Sequence, residues 1–588
     1  MAIALGVAAA TAVLTGALLV GESMRTSLRE LTLNRLGEID DLVVSRGFFN
    51  QNSLVLNQGT RWKTSVPAIL FNNGTVESES ADGSPVQRAT NVNVFGVPQE
   101  FWELDSGGLQ VNPLSGETCI VNQELADQLG LDHGAKLADL TLRIPKPTQL
   151  PAESALGATR DLIESLPGLK VAQVLPNDGL AGFSLHQSQL DSPNIFVPIE
   201  LLQDALSRKA LKHKSTPDQA NVCFLKRTEQ SNRETAELDG IGEAKRTLED
   251  EGLLLKRATG SFGEGDQAET IFDYWTLSSD QLVLRRPVVQ AIESAFPNSK
   301  PVFTYLANDI RKDDAPSGVP FSMVAAIDID DSFPLQDSAG KRIEALGEDE
   351  IVLNEWAAEN LQASVGDRVF VSWFDPETTH GKQSVEEANF VVSAIAALTE
   401  PSEPFQTRRR GQIVPAKFDA APTLANDADL TPEVPGVTDA QSIENWDLPF
   451  ETASKLRPED DAYWDNHRTT PKAFVALNTG QRLWNSRFGK VTSFRIPADV
   501  TEAEIQSRLL KSIAATDGAS GFDVVQIRDN ALSASSGSTP FDALFLALSM
   551  FVIASGLILV SLLFRLTCLL YTSPSPRDQR GSRMPSSA

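Results

Sequence analysis

At about 150 residues per domain, a chain of 588 residues has room for roughly four domains, and its 51 Lys+Arg against 78 Asp+Glu leave a net charge of −27. Such a surface repels phosphate backbones and anionic lipid head groups, which argues against nucleic acid as a partner. With 41% hydrophobic and 22% charged residues, 33 Pro and 38 Gly, neither a disordered nor a fibrous chain fits, and most of the length is expected to fold in water.

The first element, Ala2 to Val20, carries no charge, and neither does Ala543 to Phe564 near the other end. Each matches the ~20 helical residues needed to cross a hydrocarbon core of ~30 Å. The second is the more apolar, bounded by Asp542 and Arg565. A signal peptide is the rival reading of the first, but no basic residue precedes Ala2. Small residues at spacing four, Ala2, Gly6 and Ala10, then Ala12 and Gly16, suit close packing against another membrane helix, although Ala-rich stretches also show them by chance. Arg565 favours a cytoplasmic end for the second span, whereas Arg25, Arg29 and Arg35 pull the other way at the first. The region from Glu22 to Asp542 is placed outside, because long translocated domains are less governed by flanking charge.

Past the first span, Leu28, Leu31 and Leu36 share a helical face that stops at Gly37, which reads as a stalk. From Ile39 short β-type runs such as Leu42-Val43-Val44, Val92 to Val97 and Leu140 to Ile144 alternate with short helices, so the expected class is α+β. Internal repetition then stands out. Ile120 to Leu129 with Gly134 aligns without gaps on Val352 to Leu361 with Gly366, each reading as a strand, a capping Asn (Asn122, Asn354), a two-turn helix and a Gly turn. Pro193 to Ile199 with Gln203 aligns on Pro471 to Leu477 with Gln481, in the same order. Two related modules are expected, over 39–260 and 261–535; the bland alternative is that strand-turn-helix units look alike in many α+β proteins.

Residues 228–252 are highly charged and 401–449 are rich in Pro, and both read as linker-like insertions. Arg408-Arg409-Arg410 reads as a solvated loop. Thr501-Glu502-Ala503-Glu504 is a capping box opening a helix with Ile505, Leu509, Leu510 and Ile513 on one side. No phosphate-binding loop, H-E-x-x-H or G-x-S-x-G occurs; His133, His186, His213, His380 and His467 stand singly. Asp328, Asp330 and Asp331 read as an exposed turn rather than a cation site. Asn73-Gly74-Thr75 is a formal sequon with meaning only in a eukaryotic secretory protein. Cys119, Cys223 and Cys568 are too few for a disulfide framework; Cys119 and Cys223 form either a bridge or two buried thiols. No catalytic, cofactor-binding or metal-binding residue is assigned, and no enzyme activity is expected.

A small-residue span running through Leu14 to Ser23 and Ser27-Leu28-Arg29, a large outer region, and a final span Phe541 to Phe564 followed by Arg565 resemble the FtsX-like/MacB-type permeases of bacterial ABC transporters. The repeated Asn-x-x-x-Ala-x-x-Leu-x-x-x-x-Gly unit is similar to one in the MacB-type periplasmic core domain. Pro320-Phe321-Ser322, Trp446 to Phe450 and Gly480 to Trp484 look like a large-insert subgroup. The resemblance covers about 1–566 and rests on pattern and order. It implies a multi-pass subunit of the bacterial inner membrane with a periplasmic domain, in contact with lipid, paired with a second permease copy and with a separate ATP-binding cassette ATPase; lipid, lipoprotein and peptide stay open as substrates. The domain reading is a span at 1–24, a stalk at 25–38, the two modules, and a second span at 541–566. At 567–588 the family's coupling loop and two further spans are expected but do not follow. That tail looks like a translated vector end, with a natural disordered tail as the alternative, so the chain is expected to be truncated there and unable to couple to an ATPase. The alternative function is a surface-anchored binding or scaffold protein with a cleaved signal peptide and a C-terminal anchor.

Overall fold

The computed structural model describes residues 2–54, 62–78, 86–131, 139–145, 163–185, 190–207, 218–228, 246–262, 269–313, 315, 318–330, 334–377, 384–407, 413–414, 416–433, 437–438, 440, 442–443, 446, 456–535 and 541–572. In chain order the elements are α1 (Ala2–Leu36), β1 (Asp41–Asn50), β2 (Trp62–Ser78), β3 (Arg88–Val97), β4 (Thr118–Asn122), α2 (Gln123–Gln128), β5 (Asp139–Pro145), β6 (Ile163–Leu175), β7 (Asn194–Pro198), α3 (Ile199–Ser207) and β8 (Gln219–Arg227). There follow β9 (Leu253–Phe262), β10 (Glu269–Ser279), α4 (Arg286–Ala295), β11 (Lys300–Lys312), β12 (Val319–Ile327), β13 (Glu350–Asn354), α5 (Glu355–Leu361), β14 (Arg368–Phe374), β15 (Val385–Ala396), β16 (Gln406–Thr407) and β17 (Ile413–Val414). The last are α6 (Pro458–His467), β18 (Ala473–Ala476), α7 (Leu477–Leu483), β19 (Ser493–Pro497), α8 (Glu502–Ala515), β20 (Phe522–Val525), α9 (Ile527–Ser535) and α10 (Phe541–Thr572).

Among the described residues the strands form two large sheets, ordered β20-β1-β8-β2-β3-β7-β4-β6-β5 and β9-β10-β19-β11-β12-β18-β13-β15-β14. In each, one long strand closes a ring, since β2 pairs with both β3 and β5 and β11 with both β12 and β14. Read from that strand, the rings β2-β3-β7-β4-β6-β5 and β11-β12-β18-β13-β15-β14 have the same order. Apolar runs such as Cys119-Ile120-Val121 and Ile351-Val352-Leu353 are buried on both faces, which is why they read as continuous rather than alternating. β14 alternates buried with partly or fully exposed residues, turning Val369, Val371 and Trp373 into the ring.

The correspondence extends to the register. Ile120 pairs with Phe196 and Val121 with Ile195, as Val352 pairs with Phe474 and Leu353 with Ala473, so the positions aligned in sequence meet in space in both rings. The register shift between Cys119 and Ile120 opposite β6 recurs between Ile351 and Val352 opposite β15; a bulge at one equivalent place is a specified feature rather than a defect. Asn122 Oδ1 accepts the Leu125 N–H at 3.1 Å, and Asn354 Oδ1 the Ala357 N–H at 2.8 Å, so each asparagine caps its helix.

One contact is solved oppositely in the two rings. On β3, a Cβ added to Gly96 would lie 2.6 Å from Leu202 Cδ1 on α3; at the equivalent positions Ala326 sits on β12, and Gly480 on α7 has no room for a Cβ against it. The bulk has moved from helix to strand while the close approach is kept.

The expected boundaries between the modules are crossed twice. Leu253–Phe262 pairs with β10 in the second sheet although it was assigned largely to the first module, and Phe522–Val525 pairs with β1 in the first sheet although it was assigned to the second. Each sheet therefore takes its edge strand from the chain segment that follows the other module's last ring-flanking strand. The Pro-rich insert 401–449 is not a solvated linker in its described parts. Leu424, Ala425, Leu430, Val437 and Ile443 are buried, and Asp427 is sealed against Arg495 and Tyr274. Prolines withhold backbone N–H groups, so the segment packs mainly by side chains and short turns, its regular pairing limited to the two-residue strands β16 and β17. The expected span and stalk are one continuous helix, α1, and the second span continues six residues past its expected end to Thr572. Among the described residues, Met550–Leu569 is long and apolar enough to cross a membrane by length and composition, with mean hydropathy 2.2; the first half of α1, Ala2 to Val20, is likewise free of charge. Cys119 and Cys223 are free and buried, and burial pushes each thiol up to about 12, which settles the open pair in favour of two thiols.

Candidate coupling joint at the root of the stalk helices

Helix α1 is about 52 Å long at 1.5 Å per residue, well beyond the ~30 Å of a hydrocarbon core. Its last turn is set into the first sheet. Gly37 takes a left-handed φ of +52° and a Cβ there would collide with the Leu104 carbonyl oxygen, so this stop is specific to glycine on two counts. Beyond it, the Glu38 N–H donates to that same carbonyl at 2.7 Å. Leu36 and Ile39 then enter a core shared with Phe101, Leu180 and Phe183, and with Ile527 and Ala531 of α9.

Around this core lies a charge network drawn from four distant stretches of sequence. Asp41, fully buried at the start of β1, accepts Arg227 Nε at 2.8 Å, a second Arg227 nitrogen, and Trp62 Nε1 at 2.8 Å. Arg227 Nη1 reaches on to Asp529 of α9 at 2.8 Å. The hydrogen bonds to Asp41, and then the Asp529 carboxylate, hold the Arg227 guanidinium above its ordinary range against the opposing effect of burial. Asp40 accepts the Arg227 backbone N–H at 2.7 Å and forms an ion pair with Arg528 at 2.6 Å, while Arg528 also donates to the Gly37 carbonyl. Lys226 pairs with Glu38, and Arg35 of α1 pairs with Asp191. A two-pronged guanidinium–carboxylate pair fixes both distance and angle. Helix α9 precedes α10, and α1 packs along both. Both long terminal helices are thus referred to one patch, the junction of β1 and β8. The described apolar side chains of α10, Met550, Phe551, Leu557 and Leu562 among them, are exposed, as suits contact with lipid.

From this joint β1 leads to the crossing between the sheets. The Asn50 N–H donates to Asp250 at 2.9 Å, the Gly521 N–H to the buried carboxylate of Glu251 at 2.6 Å, and Arg246 pairs with Glu251. Arg285 at the start of α4 donates to the carbonyls of Gly518 and Ala519 at 2.8 and 2.7 Å. The two chain crossings between modules lie side by side and are tied to each other.

No residue of this joint stands out in the sequence as a site. Its signal is the charged doublets Asp40-Asp41, Lys226-Arg227 and Arg528-Asp529, each beside an apolar run; nothing in the sequence pairs them. Of the expected capping box one half is in place, Thr501 accepting the Glu504 N–H while the Glu504 carboxylate pairs with Arg508; Ile505, Leu509 and Ile513 are buried and Leu510 is partly buried. The sequon residues sit within β2. Asp330 pairs with Lys300 at 2.8 Å and Asp328 is exposed; Asp331 lies outside the described residues. So do His133, His186, His213, His380, Arg408 to Arg410 and 573–588. His467, the one histidine among the described residues, is buried 3.2 Å from Glu400, whose carboxyl it holds below the usual range. Among the described residues no group of three His, Cys, Asp or Glu converges on a metal site.

No family model and no curated protein matches the chain. Solved structures that do are the periplasmic region of MacB from Actinobacillus actinomycetemcomitans (8% identity, 34% of this chain and 82% of that one, TM-score 0.18). Another is the extracellular domain of the noncanonic ABC-type transporter YknZ from Gram-positive bacteria (12% identity, 32% and 84%, TM-score 0.19).

Proposed function

We propose that the chain is a permease subunit of a bacterial ABC transporter, held in the inner membrane as a multi-pass protein with both sheets on the extracytoplasmic side. The carrying observation is the joint: Arg227, Asp41, Asp40 and Arg528 refer α1 and α9 to one patch of the first sheet. A tilt of either helix then moves β1, and through Glu251 and Gly521 the second sheet. ATP hydrolysis is assigned to a separate ATP-binding cassette subunit, and a second permease copy faces the first across the membrane. Nucleotide biases the outer sheets only so far as it binds one arrangement of the helices better than the other. In this reading the two rings are copies of one unit.

The test is spin-label distance measurement in lipid nanodiscs with the cognate ATPase, on the chain extended by the coupling loop and further spans that the resemblance implies, one label at Glu103 beside the joint and one at Glu386 on the second ring. The reading expects a nucleotide-dependent distance change that Arg227→Met abolishes. A distance indifferent to nucleotide while the ATPase is bound overturns it.

A second reading has one observation in its favour, that the apolar half of α1 lies at the start of the chain, where a leader would also lie. It makes the protein a surface-anchored binding or scaffold module with a cleaved leader. N-terminal sequencing of the membrane-extracted protein separates the two, since a mature chain beginning near Glu22 removes the permease reading.

A further inference from the structure

The two rings also correspond on their outer faces. Phe303 lies opposite Ala326 as Ile69 lies opposite Gly96, and one residue back along each long strand Val302 pairs with Ser493 as Ala68 pairs with Val222. Ser493 and Arg495 of β19 therefore stand where Val222 and Phe224 stand on β8. Thr276, opposite Arg495, stands where Leu42 stands opposite Phe224. In the first sheet Leu42, Val222 and Phe224 receive the root of α1 and helix α9. In the second sheet the equivalent positions are polar and buried, and residues 424–431 of the insert pack on that side, Leu424, Ala425 and Leu430 against Ala325, Val352 and Phe474. Asp427, 1% exposed, pairs with Arg495 and accepts the Tyr274 hydroxyl at 2.5 Å. The insert thus takes the place on the second ring that the stalk takes on the first.

The strands beneath it are joined narrowly. The wing β9-β10-β19, with α4 and α8 on its other face, pairs with β11 over Lys300–Val302, and the Thr492 N–H closes the end by donating to the Val302 carbonyl at 2.9 Å. The first sheet's wing is joined to β2 over the longer stretch Trp62–Ala68. A short ladder between two packed bodies is the geometry of a hinge. Residues 424–431 bridge the two bodies without entering either ladder. On the wing, Asp427 holds Arg495 and Tyr274, and Asp429 holds Lys256 at 2.7 Å. On the ring, the Thr304 hydroxyl donates to the Leu430 carbonyl at 2.6 Å, and beside it the Thr431 hydroxyl donates to the Thr469 carbonyl at 2.7 Å.

We propose that residues 424–431 are a latch that holds the wing of the second sheet closed on its ring, and that breaking the Asp427–Arg495 pair frees the wing to swing about Lys300–Val302. A carboxylate and a guanidinium shielded from water each need the other, so the latch is either shut or released. The wing begins at β9, which leaves the crossing at Glu251, so the latch sets how firmly a displacement there is carried to the second ring. The wing's own freedom needs no ATPase, and the latch stands or falls apart from the coupling proposal.

The experiment is hydrogen exchange read by mass spectrometry on the full chain in nanodiscs, without ATPase. Asp427→Leu leaves Arg495 buried and unpaired, and is expected to speed exchange over 253–262, 269–279 and 493–497 by about tenfold or more, while 319–327, 350–354 and 473–476 in the ring stay within about twofold of the wild type. Asp427→Leu/Arg495→Phe gives the second sheet the apolar chemistry of the first, and is expected to bring the wing back to within about threefold of the wild type. Spin labels at the exposed positions Thr259 of β9 and Glu386 of β15 are expected to give one narrow distance in the wild type and the double variant, and a second population in Asp427→Leu. Thr304→Val, which removes the hydroxyl and keeps the shape, is expected to speed wing exchange about threefold, and it keeps the test decisive should Asp427→Leu fail to fold. Wing and ring accelerated by the same factor, no acceleration in either single variant, or no recovery in the double variant would each overturn the proposal.

Discussion

Replacing Arg227 with Met tests the joint most directly. The change removes a two-pronged partner from Asp41, which is 0% exposed, and also breaks the bridge to Asp529. Removing one member of a buried ion pair typically costs about 3–5 kcal/mol, because the remaining charge stays buried, whereas replacing both by apolar groups is often nearly neutral. Arg227→Met should therefore lower amide protection in β1 and β8 by about a hundredfold to several thousandfold. The double variant Asp41→Leu/Arg227→Met should recover most of that loss, giving a coupling energy of about 2 kcal/mol or more in the cycle. Hydrogen exchange read by mass spectrometry over 41–50 and 219–227 provides the assay in nanodiscs. A loss below about 1 kcal/mol for the single variant, or additive effects in the double, would refute the view that this pair is what holds the joint.

Three other outcomes are expected. Gly480→Ala overpacks α7 against Ala326 and also approaches Trp484 Cζ3 at 2.9 Å, so a loss of about 1–3 kcal/mol in chemical denaturation is anticipated; Ala326→Gly in the same chain should recover part of it, and a fully additive double would remove the claimed contact. Lys472 is buried between Trp356 and Tyr463, with its Nζ 3.2 Å from the Pro320 carbonyl, and burial brings its pKa from 10.5 down to about 8 despite the favourable Asp460 carboxylate. Between those values the unfolded chain holds the proton and the folded chain does not, so stability rises from pH 8 towards 10.5, by on the order of 3 kcal/mol; Lys472→Met should flatten that rise, and an unchanged profile would count against it. Gly37→Ala meets both a left-handed φ and the Leu104 carbonyl, so a loss of about 2 kcal/mol or more is expected in thermal melts, and a wild-type melting temperature would show that the end of α1 is free to move.

Local patterns in the chain determined a good deal by themselves. Asn122 and Asn354 cap helices because a short polar side chain ahead of an apolar turn can satisfy an orphan N–H wherever it occurs. Gly37 ends α1 because only glycine adopts that conformation without strain. The apolar runs of β4 and β13 are strands in both rings, and α10 is a helix long and apolar enough to cross a membrane, as its composition implies. Tertiary structure alone decided the rest. A proline-rich composition resists regular structure, which the insert indeed largely lacks, but composition carries no information on whether Leu424 and Leu430 find a surface to bury against. The exchange of edge strands β9 and β20 is equally invisible, because any short amphipathic strand completes either sheet and the choice depends on which edge the fold leaves open. The joint is hidden for the same reason: Arg227, Asp41 and Asp529 are ordinary charges in one dimension, and they become a fixed connection only when burial removes the water that would otherwise screen them.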